Sequence, residues 1–392
     1  MRQTVKPYTE RKISKSDAPY HKTFKCVTAY PTQLPNQFRE NKEKMQLGKF
    51  PLKRIAILRA LPGIGDFLCT IPALRSLRVA FPQAEITLIG LPSVKQLVER
   101  FSYYIDRLIE FPGYPGLSEV PLQPEKIPPF LSQLQNEHFD LAIQMQGSGI
   151  ITNPLTMLLG SRFQAGFFVP GQYCPNETWF LPYHSHESEV RRYLRLIEHL
   201  GVACQGKELE FPLWEEDKQA LLAIEEARYL LADEYVCIHP GASNPTRRWS
   251  PEGFATVADA IAACGLKVVL TGSPQEVDIA NAVAAMMNFP SLNLAGRTNL
   301  GALAVLLKNS CLLVCNDTGV SHLAAALSVQ SVTIFTQSEP NCSVPLDTKR
   351  HRVVCDTSEI TPLAAIAQAL NLLEEFATDI PSINAVQLAT HR

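Results

Sequence analysis

The sequence lacks a long apolar run, a C-x-x-C pair and any marked excess of charge. Its 392 residues carry 36 Lys and Arg against 38 Asp and Glu, a net charge of −2. A membrane-spanning helix needs about 18 or more consecutive apolar residues, so none is predicted. The near-neutral total argues against a dedicated nucleic-acid-binding protein. A hydrophobic fraction of 46% excludes an intrinsically disordered chain.

The cysteines match neither a disulfide framework nor a zinc framework. Cys237 lies in the apolar run YVCI, and Cys311 and Cys315 flank three apolar residues of a predicted strand. Such settings favour reduced, buried thiols over metal ligands. Reduced thiols are typical of the cytosol, and the basic N-terminus lacks the apolar segment of a secretory signal. We therefore predict a cytoplasmic protein without a metal site.

The chain is long enough for two domains of ordinary size. From residue 53, short apolar strands alternate with amphipathic helices, which predicts parallel sheets covered on both faces. The alternation stops near residue 206 and begins again near residue 234. We predict two doubly wound α/β domains whose ligands bind at the carboxyl ends of the strands, in a cleft between the domains. The predicted segments are a first domain over 51–205, a linker over 206–233, a second domain over 234–360, a helix over 361–376 able to pack back on the first domain, and a tail over 377–392.

Residues 1–50 differ from the rest of the chain in charge. They contain 11 Lys and Arg and four Asp and Glu, a local charge of +7 that leaves −9 on the remaining residues. Prolines and weak periodicity predict an irregular extension. A basic extension on an acidic body suits peripheral contact with an anionic membrane surface. A solvated tail is the simpler alternative.

The first motif, PGIGD over residues 62–66, follows the first predicted strand. Its glycines allow a tight turn between strand and helix. A dinucleotide-binding fingerprint would place a third glycine at Leu68, and no P-loop lysine follows the motif. Asp66 has two interpretations: it caps the helix start, or it is a general base that takes a proton from a hydroxyl group.

The second motif, HPGASNPTRRWSP over residues 239–251, joins the first strand of the second domain to its helix. Ser250 and Pro251 are typical of a helix start. The arginines offer forked donors to phosphate oxygens, and the backbone at 241–243 can approach a ligand closely. The motif suits a phosphate-bearing ligand. A surface loop with two solvated arginines is the alternative.

Two further motifs follow later strands of the second domain. In GSPQE over 272–276, Ser273 and Glu276 fit a capping box, and Glu276 could also accept hydrogen bonds from a ribose. In CNDTGVSH over 315–322, a helix begins whose positive amino end favours a diphosphate. Thr318 and His322 share a face of that helix. This setting favours a ligand contact for His322 over a structural role.

In this order the four motifs resemble those of glycosyltransferase family 9, the ADP-heptose:lipopolysaccharide heptosyltransferases. The resemblance covers roughly residues 53–376. It implies a GT-B fold, in which two Rossmann-like domains face a central cleft, with the acceptor on the first domain and the nucleotide sugar on the second. It also implies an inverting transfer that requires no metal and no cofactor.

The resemblance assigns roles to individual residues. Asp66 matches the family's proposed catalytic base. Arg247 stands where the family usually has a lysine, and segment 241–243 lacks the paired threonines of its best-known members. The positions that match the donor site are Ala242 and Ser243 at the phosphates, Arg247, Glu276 at the ribose, Leu300 near the adenine, and Asp317, Thr318, Gly319 and His322 around the diphosphate and sugar.

We therefore expect an inverting glycosyltransferase that moves a heptose-like sugar from an ADP-sugar to a hydroxyl of a lipopolysaccharide core-like glycan or glycolipid. One alternative is a transferase that uses another nucleotide sugar and another acceptor. A second is a non-catalytic module that binds a nucleotide sugar. The basic side chains of the first domain that could face a phosphorylated acceptor, or solvent, are Arg75, Arg78, Arg191, Arg192 and Arg195.

Overall fold

The computed structural model describes residues 47–336, 344–355 and 360–375. The predicted basic extension therefore lies outside the described residues, apart from its last four. The predicted tail over 377–392 also lies outside them. Leu47 is fully buried, and its backbone N–H donates to the carbonyl of Leu200 at 2.9 Å.

The first half of the chain forms a six-stranded parallel sheet in the order β3-β2-β1-β4-β5-β6. The apolar pattern did not predict β6, a strand of three residues that pairs with β5. The strands are β1 (Arg54–Leu58), β2 (Glu85–Gly90), β3 (Arg107–Glu110), β4 (Leu141–Gln144), β5 (Phe163–Phe168) and β6 (Phe180–Pro182).

The helices of this half cover the faces of the sheet. The one helix predicted after β1 is two helices in the structure. A proline in the first turn of the second helix explains the break, because proline suits a helix start and not a helix interior. The helices are α1 (Ile64–Leu68), α2 (Ile71–Ala80), α3 (Lys95–Arg100), α4 (Ile127–Asn136), α5 (Thr152–Leu158) and α6 (Glu189–His199).

The second half of the chain forms another parallel sheet, in the order β12-β11-β10-β7-β8-β9. Counted from its own first strand, each sheet has the order 3-2-1-4-5-6, so the prediction of two doubly wound domains is confirmed. The strand order reverses between β1 and β4 and between β7 and β10. The strands are β7 (Tyr235–His239), β8 (Lys267–Leu270), β9 (Ser291–Asn293), β10 (Leu312–Asn316), β11 (Ser331–Phe335) and β12 (His351–Cys355).

The helices of the second half begin as their sequences predict. Ser250 caps the first of them, its hydroxyl accepting from the N–H of Gly253 at 3.1 Å. Within the described residues, no helix is both long and apolar enough to cross a membrane. The helices are α8 (Pro251–Ala263), α9 (Val277–Met286), α10 (Leu300–Lys308), α11 (Gly319–Ala326) and α12 (Pro362–Glu375).

The expectation that the C-terminal helix packs back on the first domain is wrong. Helix α12 packs against α8 and against the strands β10, β11 and β12 of the second domain. Its buried residues Ala365, Ala369, Leu372 and Leu373 recur at helical spacing and belong to the core of that domain. An apolar face of this kind is buried against the nearest uncovered sheet.

The segment predicted as a linker over 206–233 contains a helix, α7 (Glu215–Leu222), and a short 3-10 helix over Glu225–Tyr229. Helix α7 packs along α10 of the second domain. Asp217 of α7 also pairs with Arg100 of α3 through two hydrogen bonds of 2.6 and 2.8 Å. Both side chains are less than 10% exposed. The segment therefore ties the two domains together through α3 and α10.

The cysteines that the sequence placed in strands are free and buried. Cys311 and Cys315 lie at the start of β10 and within it. Burial raises the pKa of both thiols to about 12, so they stay protonated. They act as small apolar core residues, as predicted.

Candidate active site

The predicted site residues meet where the two sheets face each other. A cavity of about 700 Å³ lies at the carboxyl ends of β1, β7, β8 and β10 and is lined by both domains. Ala242 does not line it; its side chain is buried, and its carbonyl accepts from Arg248 Nε at 2.8 Å. The predicted residues that line the cavity are Asp66, Ser243, Arg247, Glu276, Leu300, Asp317, Thr318, Gly319 and His322.

Asp66 is the third residue of α1, and Gly63 holds the capping position. The Asp66 carboxylate accepts a hydrogen bond from the backbone of Gly63. A Cβ atom at Gly63 would lie 2.3 Å from Oδ2 of Asp66, so only glycine permits this approach. The aspartate thus supports the helix start from the third position while its side chain, 39% exposed, lines the cavity. The two interpretations of Asp66 are compatible.

The surroundings of Asp66 make it a stronger base than an ordinary aspartate. Burial raises the pKa of its carboxyl group, and the nearby Glu189 carboxylate adds to this. Arg59, 3.5 Å away, and Arg247 act in the opposite direction, but the pKa stays above its ordinary value of 3.8. A raised pKa suits a group that must accept a proton near neutral pH.

Arg59 and Glu189 are site residues that the sequence analysis missed. Arg59 directly follows β1, is only 3% exposed, and donates to Glu189 Oε2 at 2.9 Å. It also donates to the hydroxyl of Tyr193. Burial favours the neutral form of Glu189, but the charges of Arg59 and Arg192 hold its pKa below the ordinary value. The sequence holds one hint of this network: Arg59 is a charged residue directly after an apolar strand.

The loop after β7 is held over the cavity by buried polar contacts. Asn316, at the end of β10, accepts from the N–H of Trp249 at 2.9 Å and donates to the carbonyl of Pro240 at 2.7 Å. Arg247 pairs with Asp317 at 3.2 Å, and its side chain is 42% exposed while that of Asp317 is 3% exposed. The loop therefore presents one anchored guanidinium to the cavity, where phosphate oxygens could bind it.

The sequence suggested two roles for Glu276, a capping box with Ser273 and a hydrogen-bond acceptor for a ribose, and its position is compatible with both. It forms a capping box with Ser273, whose N–H donates to Oε2 at 2.7 Å. A Cβ atom at Gly241 would lie 2.2 Å from its carboxyl carbon, so glycine allows the loop after β7 to approach. Burial opposes ionisation, but His239, Ser273 and Arg248 lower the pKa of Glu276. An ionised carboxylate at the cavity wall is a hydrogen-bond acceptor for sugar hydroxyls.

The amino end of α11 is open towards the cavity. Thr318 is its first flanking residue, and the Thr318 side chain makes no capping hydrogen bond. The N–H of Ser321 already donates to the Thr318 carbonyl at 3.0 Å, and the helix dipole favours an anion at this amino end. Burial lowers the pKa of His322 one turn later, against the effect of Asp317 and Glu189, so the ring is neutral near pH 7. Its Nδ1 lies 3.7 Å from the thiol of Cys69 in the first domain.

Two glycines let the domains touch at the cavity. A Cβ atom on Gly319 would lie 2.5 Å from Ile64 Cγ2 and 2.9 Å from the backbone nitrogen of Gly65. A Cβ atom on Gly65 would lie 2.7 Å from Cδ2 of His322. The amino ends of α1 and α11 therefore pack closely, with the side chains of Ile64 and His322 against the two glycines. This contact brings Asp66 to the amino end of α11.

Leu300 supplies an apolar patch of the cavity wall at the start of α10, which Asn299 caps.

Most of the five arginines that the sequence offered as contacts for a phosphorylated acceptor form ion pairs outside the cavity. Arg75, Arg78 and Arg195 pair with Glu210, Asp106 and Glu187. Of the five, only Arg192 lines the cavity.

Comparison with known proteins identifies a family. The sequence model of glycosyltransferase family 9 (heptosyltransferase) matches residues 129–368. The lipopolysaccharide core heptosyltransferase OpsX of Haemophilus influenzae is 24% identical over 311 residues, which are 75% of this chain and 82% of that protein.

Solved structures show the same fold. A family 9 glycosyl transferase from Veillonella parvula superposes with a TM-score of 0.67 at 23% identity, over 82% of this chain and 98% of its own. The ADP-heptose lipopolysaccharide heptosyltransferase II of Escherichia coli gives a TM-score of 0.64 at 21% identity, over 83% of this chain and all of its own. The two-domain architecture is therefore the GT-B fold, as predicted.

Proposed function

The chain belongs to glycosyltransferase family 9, the heptosyltransferases, and we propose that it transfers a heptose-like sugar from an ADP-sugar to a glycan. The acceptor is a hydroxyl of a lipopolysaccharide core-like glycan or glycolipid, and the transfer inverts the anomeric carbon. The name of the Haemophilus influenzae relative supports this acceptor class. The Escherichia coli neighbour is named for ADP-heptose, the donor class that we propose.

One observation carries the proposal. Asp66 of the first domain lines the same cavity as Arg247, Glu276 and the amino end of α11 in the second domain. A base and an anion-binding site must share one cavity if a hydroxyl is to attack a carbon that bears a diphosphate. Leu300 offers an apolar surface for the nucleotide base, and Glu276 offers an acceptor for the ribose hydroxyls.

In the proposed reaction Asp66 takes the proton of the acceptor hydroxyl. The oxygen attacks the anomeric carbon from the face opposite the diphosphate, so the new carbon–oxygen bond forms as the bond to phosphate breaks. The leaving ADP gains negative charge, which Arg247 and the open end of α11 offset. Donors placed where charge develops stabilise the transition state.

Titration of the purified protein with ADP, UDP, GDP and NAD tests the donor class. We expect ADP to bind most tightly. A preference for NAD, or no nucleotide binding, would contradict the proposal. With ADP-heptose and a truncated lipopolysaccharide core, proton NMR should show a product of opposite anomeric configuration to the donor. Turnover should survive EDTA, because protein groups meet the charge of the diphosphate in this mechanism.

We also propose that the enzyme works at the cytoplasmic face of an anionic membrane as a peripheral protein. The charge of +7 on residues 1–50 supports this. A variant without residues 1–46 should bind anionic phospholipid vesicles more weakly than the full chain, most visibly at low salt. Equal sedimentation of both proteins with the vesicles would end this part of the proposal.

A further inference from the structure

Arg59 sits between two carboxylates of the active site and is closer to one of them. Its NH2 group donates to Glu189 Oε2 at 2.9 Å and lies 3.5 Å from Oδ1 of Asp66. The same group donates to the backbone carbonyl of Asp66 at 2.8 Å. The arginine is therefore bonded to the main chain of Asp66 and to the side chain of Glu189, and its contact with the Asp66 carboxylate is the weakest of the three.

The guanidinium is also held in place from its other side. NH1 donates to the carbonyl of Met145 at 2.7 Å and to the hydroxyl of Tyr193. That hydroxyl donates in turn to Glu189 Oε1 at 3.2 Å, and the guanidinium lies over the Tyr193 ring, 5.0 Å from its centroid. Arg59 is 3% exposed, so water has little access to the guanidinium.

A buried arginine beside a single aspartate would make that aspartate a weak base. An opposite charge within about 4–6 Å stabilises the ionised form and lowers a carboxyl pKa by about 1–3 units. In this site Glu189 offsets the charge of Arg59, and it also lies 3.7 Å from Arg192. The second carboxylate also repels the charge on Asp66, so its presence favours proton uptake there.

The groups that face Asp66 come from four elements. Arg59 follows β1, Glu189 opens α6, and Arg247 belongs to the loop after β7. His322 of α11 is neutral near pH 7, because burial lowers its pKa. Burial raises the pKa of the Cys69 thiol, which stays protonated. Arg192 and Asp317 line the same cavity, where they pair with Glu189 and Arg247. Glu189 is the carboxylate whose charge raises the pKa of Asp66.

We propose that Glu189 is a positioning residue: it occupies Arg59 and leaves the carboxylate of Asp66 free to accept the proton of the acceptor hydroxyl. The inference rests on the proposed role of Asp66 as the base. It assigns a function to a helix residue that has no motif around it and lies 130 positions from its arginine.

The test replaces Glu189 by glutamine, which keeps the size and one hydrogen-bond acceptor but removes the charge. Enzyme without ligand, labelled with ¹³C at the aspartate carboxyls, is titrated by NMR, and Asp66 is assigned from an Asp66→Asn sample. In Glu189→Gln the titration midpoint of Asp66 should fall by on the order of one pH unit. The acid limb of the kcat profile should move the same way, and the plateau kcat should fall because the base is weaker.

Glu187→Gln is the matched control. Glu187 lies two residues earlier, pairs with Arg195 at 2.9 Å, and carries the same charge. Its removal should leave the Asp66 midpoint unchanged. Glu189→Asp keeps the charge and should give a midpoint closer to wild type than Glu189→Gln does.

An Asp66 midpoint that stays at the wild-type value in folded Glu189→Gln, with ADP binding intact, would overturn the proposal. If the variant does not fold, the wild-type titration decides, since a midpoint below 3.8 would mean that Arg59 controls Asp66 despite Glu189. These NMR readings need no turnover. Full activity of Asp66→Asn would instead refute the base assignment and leave the Glu189 effect on Asp66 standing.

Discussion

The two domains have the same strand order but present different chemistry at the point where that order reverses. At the first switch point, three charged side chains share one hydrogen-bond network: Arg59, Asp66 and Glu189. At the second, the cavity is bordered by a loop and by the open end of α11, with Arg247 as an anchored cation. In the proposed mechanism the first edge handles a proton and the second holds an anion.

The two domains share one fold, and their chemistry differs because different side chains follow the strands at each switch point. Buried charges beside one another shift pKa values, which proton transfer requires. Free N–H groups and a guanidinium bind phosphate oxygens without changing protonation. We therefore expect substitutions at the first switch point to change kcat and those at the second to change donor affinity.

Asp66→Asn should have the largest effect. The amide cannot accept the proton, so kcat should fall by about 10²–10⁴-fold. ADP affinity, measured by calorimetry, should be unchanged or slightly higher, because a negative charge leaves a cavity that binds a diphosphate. An equal loss of ADP binding would place Asp66 in the donor site and break the comparison.

The pH dependence of activity is a second test of the role of Asp66. Asp66 must be ionised to act, and burial raises its pKa above 3.8. Activity should therefore fall as the pH drops through a value above 3.8, and donor binding should not follow the same curve. The residual activity of Asp66→Asn should lack this acid limb.

Gly65→Ala should have the next largest effect, since Gly65 is where the two switch points touch. The added Cβ would lie 2.7 Å from Cδ2 of His322 and 3.2 Å from the Cα of Gly319, so either the His322 ring or the contact between the domains must shift. A misplacement of about 1 Å can cost about 10²-fold in rate. We expect kcat to fall on that scale with ADP affinity retained.

Gly48→Ala is the control for this substitution, because nothing lies within 4 Å of the added atom. It should leave kcat unchanged. Wild-type kcat in Gly65→Ala would mean that close contact between α1 and α11 is not needed for transfer.

Local signals predicted much of the fold and of the second switch point. The alternation of strands and helices, the Ser250 cap and the Ser273–Glu276 capping box all depend on neighbours in sequence, and the structure contains them. Nine of the ten predicted site positions line the cavity because motifs that follow parallel strands lie at the carboxyl edge of each sheet, and the two edges face each other. Their individual roles stay predictions.

Features that depend on distant residues were not predictable in the same way. Glu189 resembled any solvated helix residue until Arg59, far away in sequence, was placed beside it. The apolar stripe of α12 predicted burial but did not indicate which domain buries it. Strand β6 has three residues, too few to show a period of two. Each of these was decided by tertiary packing.

Arg247→Ala tests the other side of the comparison. Hydrogen bonds to charged groups contribute about 1.5–3 kcal/mol, so ADP affinity should fall by about 10- to 100-fold. The kcat at saturating donor should fall less. Arg297→Ala is a matched control, since Arg297 has a similar exposed fraction (43%) and pairs with Glu226 in a contact of 2.6 Å. A loss of kcat with unchanged ADP affinity in Arg247→Ala would assign the guanidinium to the transition state alone.

Arg247→Lys should have the smallest effect and indicates how the cation is used. Lysine keeps the charge but replaces a rigid fork by a single ammonium group. If Arg247 acts as a point charge, ADP affinity should stay within about twofold of wild type; if it binds two phosphate oxygens at once, affinity should fall by about two- to tenfold. We expect the second result, because Asp317 anchors one nitrogen of the guanidinium at 3.2 Å and leaves the others for the ligand. A lysine ammonium anchored by the same carboxylate has fewer donors to offer. Donor affinity at the second switch point therefore depends on the geometry of the cation as well as its charge.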